Sequence, residues 1–267
     1  MTQMPPGRRP EAADVADTIA TSAAPAARSA AVRLAVAVLL VLLPAKLRRL
    51  VANRVLGWEI DPEAYLGRSL VIAGKVVLGP QSSIGPWNVI RNLDELRLER
   101  GATIATRNRI WAHPLSNVVF AHVKGRRAAL ILGPYAKITD AHEIDCSDRV
   151  ELGKHAALAG FRSQILTHSL DLARDRQTTS PVELGERCAV MSGCLLLSGT
   201  RVPARSIVSA GSVVTTKLAA ELTFYRGNPA EPVRTLPETL KYFHREDLSD
   251  SERYYRALAE AGRPEQK

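Results

Sequence analysis

The sequence predicts an all-β solenoid built from six-residue units, and three observations carry that reading. Aliphatic residues recur at every sixth position from Ile60 through Leu66, Ile72, Leu78, Ile84 and Ile90 to Leu96. Neither the helical period nor the two-residue alternation of a strand produces this spacing, whereas short repeats stacked as coils do. Glycine follows the periodic aliphatic at Gly67, Gly79, Gly85, Gly133, Gly153 and Gly185, where a small residue lets the chain turn tightly at a corner. Hydrophobic residues reach 46% of the chain while aromatic residues are only 5%. A core of stacked, similar coils uses Leu, Ile and Val and has little room for Phe or Trp.

Taken in order, residues 1–30 are rich in Ala, Pro, Ser, Thr and Arg without apolar periodicity and are expected to be disordered. Residues 31–58 are expected to form one apolar and basic helix. The run Leu34–Ala45 holds 12 residues without a charge, and Lys46, Arg48, Arg49 and Arg54 follow it. Residues 1–58 contribute +5 of the net charge of +9, with eight basic and three acidic side chains. A signal peptide is disfavoured because the apolar run starts late and no small-residue cleavage site follows. Two readings stay open. In one the helix packs on its own domain or on a neighbouring subunit. In the other, which is favoured, it lies in a membrane interface with its basic cluster on anionic headgroups.

The repeat resumes after a two-residue slip with Leu98, Ile104 and Ile110, and after an insertion with Leu132, Ile138, Ile144 and Val150. Leu152 and Leu158 follow, and a last run reads Leu184, Val190, Leu196, Val202, Val208 and Val214. Residues 59–230 therefore form one domain. Two segments break the period: Leu115–Ala129, which carries Lys124, Arg126 and Arg127, and Ser169–Pro181. The first reads as a solvated loop in preference to an acceptor-binding wall. Residues 231–267 read as a helical extension, with a capping box Ser249-x-x-Glu252 opening Arg253–Glu260.

Several classes are excluded. The charge fraction of 24% is ordinary for a folded chain, and no segment offers the roughly 20 apolar residues of a spanning helix. Three cysteines, Cys146, Cys188 and Cys194, make no disulfide framework and no CxxC metal pair. They fit a reduced, cytoplasmic setting. The basic balance sits in the leading segment, and no DNA or RNA motif accompanies it, so nucleic acid is not an expected partner.

Over about residues 60–230 the chain resembles the hexapeptide-repeat acyltransferases, whose fold is a left-handed parallel β-helix. Handedness comes from that resemblance, since periodicity supplies none. Leu158-Ala-Gly-Phe-Arg-Ser-Gln-Ile-Leu-Thr-His168-Ser-Leu-Asp171 looks like the catalytic segment of sugar and polysaccharide O-acetyltransferases. Ile207-Val-Ser-Ala-Gly-Ser-Val-Val-Thr-Thr-Lys217 looks like the coil that lies along the pantetheine arm of CoA, and Tyr225-Arg-Gly-Asn-Pro-Ala230 like the closing segment. The flavour is that of exopolysaccharide (colanic-acid-type) O-acetyltransferases.

The resemblance implies an acyl-CoA-dependent O-acyltransferase using acetyl-CoA or a longer acyl-CoA. Its acceptor would be a hydroxyl of a saccharide, a polysaccharide precursor or a glycolipid. Among His113, His122, His142, His155, His168 and His244, the resemblance singles out His168 as the general base. It places Ala210 and Gly211 against CoA and makes Lys217 and Arg226 partners for its phosphates, each of these two being otherwise a solvated cation. The family often has a second histidine where this chain has Leu170. Asp171 orients a histidine or caps its own loop. Homotrimers with sites between subunits are expected, and no metal.

Two alternatives remain. A carbonic-anhydrase-like enzyme on the same fold needs three convergent histidines, and His142, His155 and His168, spaced 13 residues apart, would not stack on one edge. A non-catalytic scaffold held at a membrane by its basic helix is the other.

Overall fold

A computed structural model describes residues 32–247. The disorder expected for residues 1–30 and the capping box at 249–252 lie outside the described residues. Within them the chain forms mostly parallel β-structure, its strands arranged as three ladders that return to the same place once per coil. The first ladder stacks Leu66, Ile84, Ile104, Ile138, Leu158, Val190, Val208 and Tyr225. The second stacks Val71, Ile90, Ile110, Ile144, Ile165, Leu196 and Val214. The third stacks Ile60, Leu78, Leu98, Leu132, Leu152, Leu184 and Val202. All of these side chains are buried, and all but Val71, Ile165 and Tyr225 stand at positions of the six-residue count.

One member is corrected. Ile72 is only partly buried, and Val71 takes its inward place. The long strands Leu70–Leu78 and Val89–Leu98 run unbroken from the second face into the third, the latter through Asn92 at φ +64°. A register shift between Ile72 and Ala73 absorbs the odd residue there. The same pair of strands explains the slip at Leu96 and Leu98. Both point inward, beside Val76 and Leu78.

The glycines after the aliphatics have a different cause from the one expected. Gly85 does not have positive φ; a Cβ there would lie 2.3 Å from the Ala105 carbonyl oxygen of the next coil. Close stacking of backbones, not turning, demands glycine. The tight corners fall three residues after the inward aliphatic, where φ turns positive even at Trp87, Arg107, Tyr135, His155, Arg187 and Arg205.

The segment expected as one helix forms two, α1 over residues 32–42 and α2 over Ala45–Val55. Pro44 separates them, since it has no N–H for a continuing helix and its ring clashes with the preceding turn. Arg48 is buried, and its guanidinium donates to the carbonyls of Leu40 and Leu43 at 2.7 Å each and to that of Leu66. One side chain thereby satisfies carbonyls that the end of α1 leaves open and ties both helices to the first coil. At the other end, the helix expected at Arg253–Glu260 lies outside the described residues, and residues 231–247 of the expected helical extension instead form a strand and a short turn. Glu231–Thr235 pairs antiparallel with Thr223–Arg226, and a short 3-10 turn, Lys241–His244, follows with Phe243 buried.

Candidate functional site

Three consecutive coils leave the second face at one corner, and each does so with a polar residue in hand. After Ile110 the chain continues through Trp111 and Ala112 to His113. After Ile144 come Asp145, Cys146, Ser147 and Asp148, and after Ile165 come Leu166, Thr167 and His168. Because Ile110, Ile144 and Ile165 are ladder partners, their followers meet at that corner.

Asp145 is the hub and is fully buried. Its Oδ2 accepts from the Thr167 N–H at 2.9 Å, the Thr167 hydroxyl at 2.8 Å, the His168 N–H at 3.1 Å and His168 Nδ1 at 2.7 Å. Its Oδ1 accepts from the Ser147 N–H at 2.9 Å and from the Ser147 hydroxyl. Burial alone would raise this carboxyl. Hydrogen bonds from His168, Ser147 and Thr167 overcome it and hold the group far below the usual carboxylate range. The bond to Asp145 in turn raises His168 above an ordinary histidine, against the effect of burial.

His113 reaches the same hub at one remove. Its Nδ1 lies 2.7 Å from Ser147 Oγ, and its backbone N–H donates to that oxygen at 3.1 Å. Burial lowers its pKa, and the neighbouring His168 lowers it further. The His113 and His168 rings stand 5.5 Å apart at 72°. Phe120 contacts both edge-on, at 5.3 and 6.4 Å between centroids.

The insertion read as a solvated loop is anchored over this corner. Phe120 and Arg126 are buried. Arg126 donates to the carbonyls of His113 at 2.6 Å, Ser147 at 2.7 Å and Pro114 at 2.6 Å, with its guanidinium 5.1 Å from the Phe120 ring centroid. The other insertion is a hairpin, His168–Asp171 against Arg176–Thr179, that packs on the 3-10 turn Val118–Phe120. Asp171 caps its own turn by accepting from Arg174 and leaves the orientation of His168 to Asp145.

The predicted residues divide between two corners. Lys217 stands exposed at the corner of His168, bridged to Arg201 and two coils further on, roughly 10 Å at the spacing of parallel strands. Ala210, Gly211 and Arg226 lie exposed at the preceding corner, between the first and second faces. Gly211 has φ +73°, and a Cβ there would meet nothing within 4 Å, so the chain itself leaves that surface open. Within one chain these three are not brought to His168.

His142, His155 and His168 fall at three different corners. His142 is buried between coils, with burial lowering its pKa to about 4. His155 stacks on Tyr135 at 5.0 Å. Ligand atoms of His113, Asp145 and His168 do lie within 4.8 Å of one another, and among the described residues this is the group that could hold a cation. Asp145 and both Nδ1 atoms are already engaged in the hydrogen bonds above. The cysteines are buried, and burial raises the thiols of all three, so none is poised as a nucleophile.

The sequence named His168 for this corner, placed Arg126 only in a solvated loop, gave His113 no role, and did not single out Asp145, Ser147 or Phe120. The signal was the offset from the inward aliphatic: His113 and His168 both sit three residues after a ladder member. Ile165 escaped the count because it follows Leu158 by seven residues, where Gly160 and Phe161 bulge the strand.

No family model matches the chain. It is 30% identical over 112 residues to a putative colanic acid biosynthesis acetyltransferase, WcaF, of Escherichia coli strain K12, covering 41% of this chain and 60% of that protein. The likeness to WcaF of Shigella flexneri has the same extent. The chain thus spans 60% of the length of these curated relatives. Among solved structures, the polysialic acid O-acetyltransferase OatWY superposes with a TM-score of 0.51 at 16% identity, over 76% of this chain and 94% of that one.

Proposed function

We propose that this chain, similar in sequence to a putative colanic acid biosynthesis acetyltransferase and in fold to a polysialic acid O-acetyltransferase, is an acyl-CoA-dependent O-acyltransferase of saccharides. The observation that carries the reading is the His168–Asp145 pair at a corner walled by two insertions. Asp145 holds His168 with the proton on Nδ1, so neutral His168 presents a bare Nε2 to the site. That nitrogen takes the acceptor hydroxyl proton, the oxygen attacks the thioester carbonyl, and the CoA sulfur leaves with the proton returned by His168. We take the coil to be left-handed, acetyl as the transferred group, and saccharide or glycolipid as the acceptor. Release of CoA thiol from acetyl-CoA by the purified protein, dependent on an added saccharide, tests the reading. No release across a broad acceptor panel would overturn it.

The separation of His168 from Ala210, Gly211 and Arg226 favours a site completed between copies, in a homotrimer. If so, co-expressed Gly211→Trp and His168→Ala chains, each inactive alone, recover part of the wild-type rate, because some interfaces combine two intact halves. Sites contained in one chain would show no recovery.

The two readings of the leading helix are not exclusive. Ala37, Leu40 and Ala52 face the protein core, while Leu34, Val38, Leu39, Leu42, Leu47 and Leu50 are exposed. Residues 32–58 contain five basic and no acidic residues, and no helix among the described residues is long and apolar enough to cross a membrane. We propose that this face rests on an anionic membrane surface, the inner face in a cytoplasmic enzyme. The double variant Leu39→Asp, Leu42→Asp is expected to bind phosphatidylglycerol vesicles about tenfold more weakly in co-sedimentation. Equal binding by wild type and variant would overturn the assignment.

A further inference from the structure

His113 takes no part in the proton transfer described above, yet the hydrogen bonds fix what it can do. Asp145 is an acceptor at both oxygens. The Ser147 hydroxyl donates its one proton to Asp145 Oδ1, so Ser147 Oγ meets His113 Nδ1, 2.7 Å away, only as an acceptor. The proton of neutral His113 therefore sits on Nδ1. By the same reasoning the proton of neutral His168 sits on its own Nδ1, facing Asp145 Oδ2.

Both rings thus turn a bare Nε2 lone pair to the site, and no hydrogen bond within the described residues reaches either atom. Neither Nε2 is among the buried polar atoms left without a partner, so both are open to a ligand. The rings are 5.5 Å apart, with Phe120 along an edge of each. His113 has no proton to give at Nε2 and so cannot stabilise an oxyanion. It can only accept, and the donor it would meet lies next to the one His168 deprotonates.

We propose that the two histidines recognise a vicinal diol, two adjacent hydroxyls of a sugar ring, with His113 as a specificity-determining residue. This rests on the acyltransferase reading and names the acceptor class for the same site. One hydroxyl loses its proton to His168 Nε2 as its oxygen bonds to the thioester carbonyl carbon. The carbon–sulfur bond then breaks, and the sulfur takes that proton back from His168. The neighbouring hydroxyl keeps its proton throughout and donates it to His113 Nε2, which holds the ring in place. A monodeoxy acceptor leaves His113 unpaired at the moment of transfer, and sites built around a substrate hydroxyl discriminate strongly against its absence.

The test compares methyl hexosides carrying all ring hydroxyls with their monodeoxy counterparts, reading kcat/KM from thiol release. Wild type is expected to prefer the intact diol by roughly a hundredfold or more. His113→Ala is expected to cut that preference to within about threefold, and His113→Gln, whose amide oxygen also accepts, to restore part of it. An unchanged preference in His113→Ala, or no preference in wild type, overturns the proposal. Histidine-ring NMR without acyl donor separates this failure from failure of the acyltransferase reading. If no saccharide is acylated, yet the intact hexoside shifts the His113 ring signals and the deoxy sugar does not, diol recognition stands and the enzymatic reading falls. Absence of any such shift overturns the diol. Stoichiometric shifts of both rings by zinc, with chelator abolishing turnover, would assign the pair to a metal instead.

Discussion

His168→Ala is expected to lower kcat for acyl transfer by about 10²–10⁴-fold, the usual scale for loss of a positioned general base. Its thermal unfolding should stay close to wild type. The ring is half-buried, and Asp145 Oδ2 keeps the Thr167 N–H, the Thr167 hydroxyl and the backbone N–H of residue 168 when the imidazole is gone. A structural role would show the reverse, lost stability with activity falling only in proportion to folded protein. Equal thiol release by variant and wild type, both folded, would remove His168 from the mechanism.

Asp145→Asn should be as damaging to turnover and more damaging to the fold. Every group around Asp145 donates to it, so an amide must turn its NH2 toward donors on one side. If that side is His168, the imidazole shifts its proton to Nε2 and the bare nitrogen disappears. If it is Ser147, buried donors lose their acceptor, at about 1–3 kcal/mol. A loss of about 10²–10⁴-fold in kcat is expected, as when a histidine base loses its orienting carboxylate.

The pH profile separates these effects. As the proposed general base His168 acts in its neutral form, and Asp145 raises its pKa, so the acidic limb of kcat/KM in wild type should lie above pH ~6.5. The asparagine variant, lacking the charge, should carry its residual activity to lower pH. Stability follows the same pair. The depressed Asp145 contributes stability that is present above its unfolded pKa, about 3.9, and is lost as pH falls through its folded value. The raised His168 contributes stability that is present below about 6.5 and is lost as pH rises through its folded value. Wild-type Tm should therefore exceed that of the variant most between about pH 4 and 6.5. A difference that is flat with pH would show that Asp145 acts only as a hydrogen-bond acceptor.

What was legible in the sequence follows from how the fold is built. Each coil buries one aliphatic per face against the same residue of the coil before, so the core requirement repeats locally and appears as a count of six. Composition carried the same message, with Leu, Ile and Val filling the stacked core and rings confined to its ends, at Trp58 and Tyr225. His168 was singled out through a resemblance of its segment and not through the repeat, and Pro44 and the antiparallel Glu231–Thr235 strand show where helical expectations gave way to a helix break and an edge pairing.

The corner was not legible, for a physical reason. Which residues meet there depends on the register between coils, and that register shifts by whole residues at the Ile72/Ala73 and Leu158/Phe161 irregularities and jumps at both insertions. Asp145 lies 23 residues from His168, and Ser147 lies 34 from His113. By itself the sequence determined the repeat and most of the inward ladders, and it named His168. Only the tertiary structure decided that Asp145 buries its charge at that histidine and that Ser147 links His113 to the same carboxylate. It also decided that Ala210, Gly211 and Arg226 lie at a different corner from His168, because stacking of coils, not proximity along the chain, sets the neighbours of a corner residue.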